Sequence, residues 1–302
     1  MKRVVPVLIT WDVDPTPEVT PENKKRALAL TLALLSDLQI RSTFLFHAQI
    51  APDLQEEISS LVAAGHEIGC HGLTHGDEEE YDRMAEHVQR EYLVKATSIL
   101  ESVANTPIRT FRGPRVKTSH ITQKILEELG YCADCSVSSQ RIDFISSNLV
   151  NVGWIVAPRL PYHPSDRSAF KRGKRNIWVV PNSAIVFPFI STALYTFRLR
   201  FMKYLFNILY GESLQKGKPI VYMGHPFEFA PWSMRIRGGS SFFRRVRIHG
   251  FGYRRIFCEK NERSRYEMNK ALFAYMKSHP AVEFMTVSDF VGGTLHRPGT
   301  AQ

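Results

Sequence analysis

Residues 4–14 read VVPVLITWDVD, an apolar run that closes on two carboxylates, Asp12 and Asp14. In an extended segment, residues two apart point to the same side, so both carboxylates can face one cavity at the end of a strand. The sequence HGLTH follows later in the chain and contains His71 and His75. If this segment is a helical turn, both imidazoles lie on one face and can reach one ion. The pattern predicts a divalent-metal site that spares one carboxylate as a base, which is the apparatus of metal-assisted hydrolysis.

These residues also have ordinary structural explanations. An aspartate directly after a strand is often a helix N-cap. Two histidines four residues apart are often ordinary polar residues. The combination favours a catalytic site, because three ligands would leave a coordination position open to water or to a substrate carbonyl.

The composition is that of one large folded domain. The chain has 302 residues, of which 44% are hydrophobic and 23% charged, so it can bury a sizeable core and is not of the disordered class. It shows no internal repeat and no linker, and we expect a single catalytic domain over residues 1–302 with a basic, aromatic insertion at about 185–258. No apolar run is long enough to cross a bilayer and no cleavage site follows the first run, so we expect a cytoplasmic protein.

The four cysteines agree with a reducing compartment. Cys132 and Cys135 have the spacing of a redox pair or of half a zinc site, but no second pair follows. They also lie within a predicted strand rather than at the start of a helix, which disfavours a redox role.

Strand-like and helical runs alternate along the chain. The predicted strands are Val4–Thr10, Ser42–Phe46, His66–Cys70, Ile108–Phe111, Tyr131–Asp134, Ile177–Val180, Ile220–Met223 and Val282–Thr286. Helices are predicted from Pro21, behind the cap Thr20, and over Leu54–Ala64, Tyr81–Val103, Ser119–Leu129 and Arg265–Ser278. The alternation predicts an α/β fold, a barrel of seven or eight mostly parallel strands with the helices outside.

In such a barrel the working residues sit where strands end and loops begin. Three further polar side chains hold such positions, namely Arg112, Asp134 and His225. Their ordinary alternatives are a surface ion pair for Arg112, a turn cap for Asp134 and a hydrogen-bonded structural role for His225. The barrel prediction instead brings all of them to one face, together with the two aspartates and two histidines named above.

Five segments, in order along the chain, resemble the motifs of NodB-type polysaccharide deacetylases, in the form of the intracellular peptidoglycan-deacetylase-like and allantoinase-like branch. They are Thr10–Asp14, His71–His75, Phe111–Arg115, Tyr131–Ser136 and Tyr222–Pro226. The resemblance covers about residues 4 to 290 and implies a distorted (β/α) barrel. Arg115 and Val116 depart from the third motif, where an aromatic residue and a glycine commonly supply an N–H to the oxyanion.

The resemblance also implies the central chemistry. Asp14, His71 and His75 would hold one divalent metal, most often Zn²⁺, although other divalent ions also fit. The metal would polarise the amide carbonyl. Asp12 would act as the general base and take a proton from the attacking water.

Three supporting roles follow from the same resemblance. His225 would protonate the departing amine, because an amine is a poor leaving group near neutral pH. Arg112 would orient Asp12 and favour its ionised form. Asp134 would support the Arg112 or the His225 side of the site.

Charge indicates an anionic partner. The net charge is +10, and the stretch between Glu228 and Glu259 contains no acid but seven arginines, the first at 235 and the last at 255. No stacking or groove-reading motif accompanies it, so no nucleic acid partner is expected. A phosphate-bearing glycan precursor or an anionic membrane surface fits this charge better.

The segment Tyr195–Tyr210 has a narrow polar stripe formed by Thr196, Arg200, Lys203 and Asn207. This spacing predicts an amphipathic helix, which is either an outer helix of the barrel or a helix lying on an anionic bilayer. In the second case the protein is peripheral on the inner face of a membrane.

The predicted function is removal of an N-acyl group, acetyl or formyl, from an amino sugar of a glycan or a lipid-linked glycan precursor. The alternatives are an allantoinase-like cyclic amidase and a catalytically silent barrel that binds a glycan or a membrane. The sequence does not indicate the sugar, the acyl group, the metal or the oligomeric state.

Overall fold

The computed structural model describes residues 3–139, 152–231, 259 and 261–295. Eight parallel strands form one curled sheet. Their bounds are β1 (Val5–Val13), β2 (Thr43–Phe46), β3 (Glu67–Cys70), β4 (Thr110–Phe111), β5 (Ala133–Asp134), β6 (Trp178–Val179), β7 (Ile220–Gly224) and β8 (Val282–Phe284). Two antiparallel pairs lie outside this sheet, Pro164–Ser165 with Ser168–Arg172 and Ala184–Ile185 with Phe187–Pro188.

The strand order is β7-β1-β2-β3-β4-β5-β6, and β8 pairs with the first half of β1. The ends of the sheet approach each other through Ser183, which follows β6. The amide of Ser183 donates to the carbonyl of Val221 at 3.2 Å, and its hydroxyl accepts from the amide of Val221 at 2.9 Å. The predicted distorted (β/α) barrel of parallel strands is therefore confirmed, and each of the eight predicted strand segments contains a strand.

The helices surround the sheet. They are α1 (Pro21–Asp37), α2 (Gln55–Ala63), α3 (Glu86–Ala104), α4 (His120–Glu128), α5 (Val152–Val156), α6 (Ser191–Lys216) and α7 (Glu262–Lys277), followed by a short turn over Val287–Asp289. The predicted start of α1 is confirmed, because Thr20 Oγ1 accepts from the amide of Asn23 at 3.3 Å and Pro21 follows it. Helix α3 begins at Glu86 rather than at Tyr81, because the residues before it form turns around the buried Glu79 side chain.

Strand β1 separates the core from the interior of the barrel. All nine of its residues are buried, and side chains alternate between the two sides. Trp11 points outward, where its ring packs against Phe44 and Phe273 with centroids 6.3 and 6.0 Å away. Thr10 and Asp12 point inward and reach a side chain from the end of β4. The inward side of β1 is therefore polar toward the end of the strand, whereas Leu8, earlier on the same side, packs in a hydrophobic cluster inside the barrel.

The prediction that His71 and His75 occupy a helical turn is wrong. Residues 71–76 form an irregular loop after β3, in which Gly72 has φ +88° and His75 has φ +54°. The two imidazoles do come together, as the spacing of four residues predicted. Two left-handed backbone positions bring them together, however, and not a helix.

Cys132 and Cys135 flank β5 as free thiols. Burial raises the pKa of both thiols, so neither is an activated nucleophile.

The segment predicted as a basic insertion is described only in part. Helix α6 packs on β7 and α7, and β7 is itself a strand of the barrel. The arginine-rich stretch from 235 to 255 lies outside the described residues. Within the part of the chain that the structure describes, no helix combines the length and the hydropathy needed to cross a membrane.

Candidate active site

Three candidate metal ligands meet where β1 and β3 end. The ligand atoms of Asp14, His71 and His75 all lie within 4.8 Å of one another. Oδ1 of Asp14 is 3.2 Å from Nε2 of His71 and 3.6 Å from Nε2 of His75. Among the described residues, this buried oxygen has no hydrogen-bond partner of good geometry. Two imidazole nitrogens and one carboxylate oxygen that face one point are a donor set suited to Zn²⁺ and similar divalent ions.

His71 is oriented for ligation by its other nitrogen. Its Nδ1 lies 2.6 Å from the backbone carbonyl of Arg112, which assigns the proton to Nδ1 and leaves the lone pair of Nε2 facing Asp14. Burial alone would lower the pKa of His71, but Asp12 and Asp14 outweigh burial and raise it. Burial alone would raise the pKa of Asp14, but the imidazoles of His71, His225 and His75 hold it well below its usual range.

A buried glutamate shapes the loop between the two histidines. The carboxylate of Glu79 accepts from the backbone amides of Leu73, Thr74 and His75 at 2.7, 2.6 and 2.7 Å. A side chain at Gly72 would begin 2.5 Å from this carboxylate, so the loop needs glycine there. Nothing in the sequence distinguished Glu79 from the acids beside it in the run DEEE.

The second carboxylate of β1 has a different partner. Asp12 is 3% exposed, and its Oδ1 accepts from Nη1 of the fully buried Arg112 at 2.6 Å. The remaining guanidinium donors bind Thr10 Oγ1 at 3.0 Å, Asn182 Oδ1 at 2.8 Å and the carbonyl of Cys135 at 3.1 Å. Four hydrogen bonds hold the guanidinium and one of them engages Asp12, so the buried charge of Arg112 is well compensated. The arginine therefore fixes the orientation of Asp12.

Asp134 lies on another side of Arg112 and contacts different groups. Its carboxylate accepts from Thr118 Oγ1 at 2.9 Å, Gln123 Nε2 at 3.0 Å and the amide of Ser136 at 2.9 Å. Burial raises the pKa of Asp134, and these three hydrogen bonds oppose that rise. The side chain holds the loops after β4 and β5, and these contacts place it neither on the guanidinium nor on the ring of His225.

His225 joins the site from the end of β7. Its Nε2 is 3.9 Å from Oδ2 of Asp14, and its Nδ1 is 3.0 Å from Oε1 of Glu228. Glu228 also accepts from Ser191 Oγ and from Tyr195 OH, each at 2.9 Å. Burial alone would lower the pKa of His225, but Glu228, Asp14 and Asp12 raise it to about 9. Glu228 was not among the predicted site residues, although its position three residues after His225 was a usable signal.

A third histidine lies beside the ligand cluster. The ring centroid of His47 is 5.6 Å from that of His75 and 6.5 Å from that of His71. The side chain is fully buried, and neither of its nitrogens has a hydrogen-bond partner in the described part of the chain. Burial and the neighbouring imidazoles of His71 and His75 lower the pKa of His47 to about 2. His47 directly follows a predicted strand, so the strand-end argument could have indicated it.

The structure thus brings six of the seven predicted residues into one polar site at the strand ends of an α/β barrel, and Asp134 lies behind it. Residues 3–133 match the family model of polysaccharide deacetylases. This match confirms the resemblance to the NodB-type polysaccharide deacetylases.

Individual relatives agree with this placement. The chain is 30% identical over 108 residues to a chitooligosaccharide deacetylase of Sinorhizobium fredii strain NGR234, a match over 36% of this chain and 46% of that protein. The matched region thus spans about half the length of this curated relative. A Mycobacterium smegmatis structure assigned to the polysaccharide deacetylases has a TM-score of 0.63 at 16% identity, over 97% of this chain and 90% of that one. Puue allantoinase has a TM-score of 0.60 at 15% identity, over 100% and 93%. These two structural likenesses show a shared fold.

Proposed function

We propose that this protein is a metal-dependent amide hydrolase that removes an acetyl or formyl group from an amino sugar of a glycan or a lipid-linked glycan precursor. The observation that carries the proposal is the division of the site. One cluster of Asp14, His71 and His75 is suited to a metal, while Asp12 pairs with the buried Arg112 and His225 with the partly buried Glu228. A ligand set, a base and an acid therefore border one space.

The metal would be held by Asp14, His71 and His75, and Zn²⁺ is the ion that their donor atoms suit best. When bound, a divalent ion supplies Lewis acidity toward an amide carbonyl and increases the acidity of water. The protein contributes the orientation of the ligands, through the Arg112 carbonyl on His71 and through Glu79 on the loop that carries His75.

Asp12 is the proposed general base. It lies two residues before Asp14 on the same side of β1, so both carboxylates face the same space. Its ion pair with Arg112 engages Oδ1, which leaves Oδ2 as the oxygen proposed to accept a proton from an attacking water. Arg112 keeps the carboxylate in place and balances its charge during that transfer.

His225 is the proposed general acid. Glu228 accepts from Nδ1, which directs Nε2 toward Asp14 and the reacting space. A raised pKa keeps this imidazole protonated near neutral pH, as a group that must deliver a proton to a departing amine requires. In the protonated imidazole of His225, Nδ1–H donates to Glu228 and Nε2–H faces the site. The proton proposed for delivery to the amine is the one on Nε2.

Hydrolysis of a panel of amides tests this function directly. The purified protein, loaded with Zn²⁺, would be incubated with N-acetylated and N-formylated amino sugars, with chitooligosaccharides and with allantoin; the free amine would be measured for the sugars and the ring-opened carboxylate, allantoate, for allantoin. Because the named relative is a chitooligosaccharide deacetylase, an acylated amino sugar is the expected substrate. Turnover of allantoin alone would support a cyclic amidase. Bound metal without turnover of any compound would support a silent binding barrel.

We further propose that the protein works in the cytoplasm at an anionic membrane surface. Helix α6 buries one side, including Met202, Phe206 and Leu209, in the core. The backbone of α6 breaks at Arg198, where φ is +71°, and beyond this break the outer side carries Phe201, Tyr204 and Ile208 at spacings of three and four, which form one outer stripe. Phe197, just before the break, joins this stripe because its ring lies 5.0 Å from that of Phe201.

The outer stripe has features of a lipid-binding face. Tyr204 is 64% exposed, and Phe197 and Ile208 are also exposed. The ring of Phe187 extends the stripe, because it lies 5.2 and 5.4 Å from the rings of Phe197 and Phe201. Arg200 and Lys203 border these aromatic rings, and basic residues beside exposed aromatic ones favour an anionic bilayer. The inner side of α6 fits the interpretation as an outer helix of the barrel, and the outer stripe supports the proposal of a membrane-bound helix.

A further inference from the structure

We infer that His47 is a fourth protein ligand of the proposed metal, beside Asp14, His71 and His75. The inference rests on the proposed metal site and adds a residue that the deacetylase motifs do not contain. It is carried by the strand register, by the burial of the His47 side chain and by the positions of three imidazole rings.

The register places His47 between two of the other ligands. Leu45 on β2 pairs with Asp12 on β1 and with Gly69 on β3. Side chains alternate along strands, so the next residues that face the barrel interior on these three strands are Asp14, His47 and His71.

Backbone hydrogen bonds show that this pairing continues beyond the strand ends. The amide of His47 donates to the carbonyl of Val13 at 3.4 Å, and the amide of His71 donates to the carbonyl of Phe46 at 2.7 Å. His47 therefore lies in the same layer as Asp14 and His71, on the strand between them.

No hydrogen bond among the described residues accounts for a polar imidazole at position 47. It is fully buried, and neither nitrogen has a hydrogen-bond partner among the described residues. A buried polar group without a partner costs about 1–3 kcal/mol. A cation that accepts the lone pair of one nitrogen would remove this cost, as it would for the unpartnered Oδ1 of Asp14.

The ring of His47 adjoins the group of ligand atoms that lie within 4.8 Å of one another, which among the described residues comprises Asp14, His71 and His75. The His47 and His75 centroids are 5.6 Å apart, which equals the distance between the His71 and His75 centroids. The third distance, between His47 and His71, is 6.5 Å. His75 is therefore equally close to both other rings, and an ion beside Asp14 and His75 can be reached from either side. Four protein ligands leave room for substrate only on an ion with five or six coordination positions, so the site should accept Co²⁺ and Ni²⁺ as well as Zn²⁺.

Cobalt binding tests the assignment without any measurement of turnover. The protein would be stripped with a chelator and titrated with Co²⁺, and the affinity and the visible spectrum recorded for the wild type, for His47→Leu and for His66→Asn. His66 is the matched control, since it is also a buried histidine, but it lies at the opposite end of β3 and pairs with Ser42. We expect His47→Leu to weaken Co²⁺ binding by more than about 100-fold, beyond the loss of 10–100-fold that follows removal of an outer-shell partner. The visible bands should shift as well, and His66→Asn should match the wild type.

A second measurement uses only the wild-type protein and covers the case in which His47→Leu does not fold. X-ray absorption spectroscopy of the Zn²⁺-loaded protein should count three imidazoles around the ion. A count of two, or a loss of affinity of 100-fold or less in a folded His47→Leu protein, would overturn ligation by His47 and leave the proposed three-residue site intact. Failure of the wild type to bind either Zn²⁺ or Co²⁺ would instead overturn the proposed metal site and this inference with it.

Discussion

The imidazole of His225 and the carboxylate of Glu228 form a partly buried pair, with Nδ1 3.0 Å from Oε1. Glu228 is in turn held by Ser191 and Tyr195 at the start of α6. The resemblance to the deacetylases implied that Asp134 supports either this histidine or Arg112. The contacts of Asp134 instead lie in the neighbouring loops, and a glutamate three residues after His225 orients its ring.

Replacing Glu228 by glutamine should separate charge from orientation. Glutamine can still accept from Nδ1 of His225, but it no longer stabilises the protonated ring. We expect kcat on amide substrates to fall about 10²-fold or more with little change in KM, because a positioned acid contributes roughly 10²–10⁴-fold to rate. A substrate with an activated leaving group, which needs no proton, should be affected much less. Equal losses on both substrates would show that Glu228 acts through the fold rather than through proton delivery.

Removal of His75 should abolish both metal binding and turnover. The imidazole is one of the three clustered ligands, and its loop is held by Glu79 whether or not the side chain is present. The His75→Ala protein should therefore fold normally and lose stoichiometric Zn²⁺, as measured by elemental analysis after gel filtration. Full metal occupancy with wild-type activity would contradict the ligand assignment.

Unlike His75→Ala, the Asp12→Asn protein should keep its bound Zn²⁺. Asparagine preserves the shape of the side chain and a contact with Arg112 but cannot accept a proton from water. We expect normal Zn²⁺ content and a decrease in kcat of about 10²–10⁴-fold. Near-normal turnover would mean that another group accepts the proton.

His66 should make the protein sensitive to acid. Burial, together with the charge of Arg41, lowers the pKa of His66 from 6.5 to about 4, although its hydrogen bond with Ser42 opposes this shift. The unfolded chain therefore binds more protons between pH 6.5 and 4, so this group's contribution to stability is complete above 6.5 and is lost as the pH falls to 4.

The difference corresponds to about 3 kcal/mol. In urea unfolding at pH 7.5 and 4.5, His66→Asn should lose clearly less stability on acidification than the wild type. The amide oxygen of the asparagine keeps an acceptor near the Ser42 amide. An identical pH dependence in both proteins would show that other groups cause the acid sensitivity.

Membrane binding should depend on the outer stripe of α6. In vesicle sedimentation, the protein should pellet with anionic but not with neutral liposomes, and less in high salt. Tyr204→Glu should release it while the thermal midpoint stays close to that of the wild type, because Tyr204 is 64% exposed. Val94→Glu is a suitable control, because Val94 is 47% exposed on α3, away from the stripe. A protein that remains in the supernatant with anionic vesicles at low salt would limit α6 to its structural role.

Most of the barrel could be predicted from the sequence, but the backbone conformation of the site could be predicted only in part. The eight strands follow from local apolar runs, and even the two-residue β4 and β5 lie within predicted segments. The loop that carries His71 and His75 was misassigned because a spacing of four is also met by a turn with two positive φ angles, and that turn depends on Glu79.

The partners of the site residues were the least predictable part. Glu79 and Glu228 differ from other acidic residues only in accepting hydrogen bonds from particular amides and hydroxyls, and tertiary packing decides those contacts. The pairing of Arg112 with Asp12 was expected from the resemblance to the deacetylases, and its geometry follows from two strands that face each other across the barrel.

Arg112 serves the site through two chemically independent parts. Its backbone carbonyl sets the tautomer of His71, and its guanidinium holds Asp12. A substitution at position 112 changes the side chain but keeps the backbone carbonyl. The hydrogen bond that orients His71 for metal binding therefore survives a substitution of Arg112. Loss of the guanidinium alone would leave Asp12 buried and unpaired, at a cost of about 3–5 kcal/mol. A lineage that abandons catalysis should therefore lose Asp12 and Arg112 together while it retains the metal ligands, and such descendants would be recognisable in sequence by that paired loss.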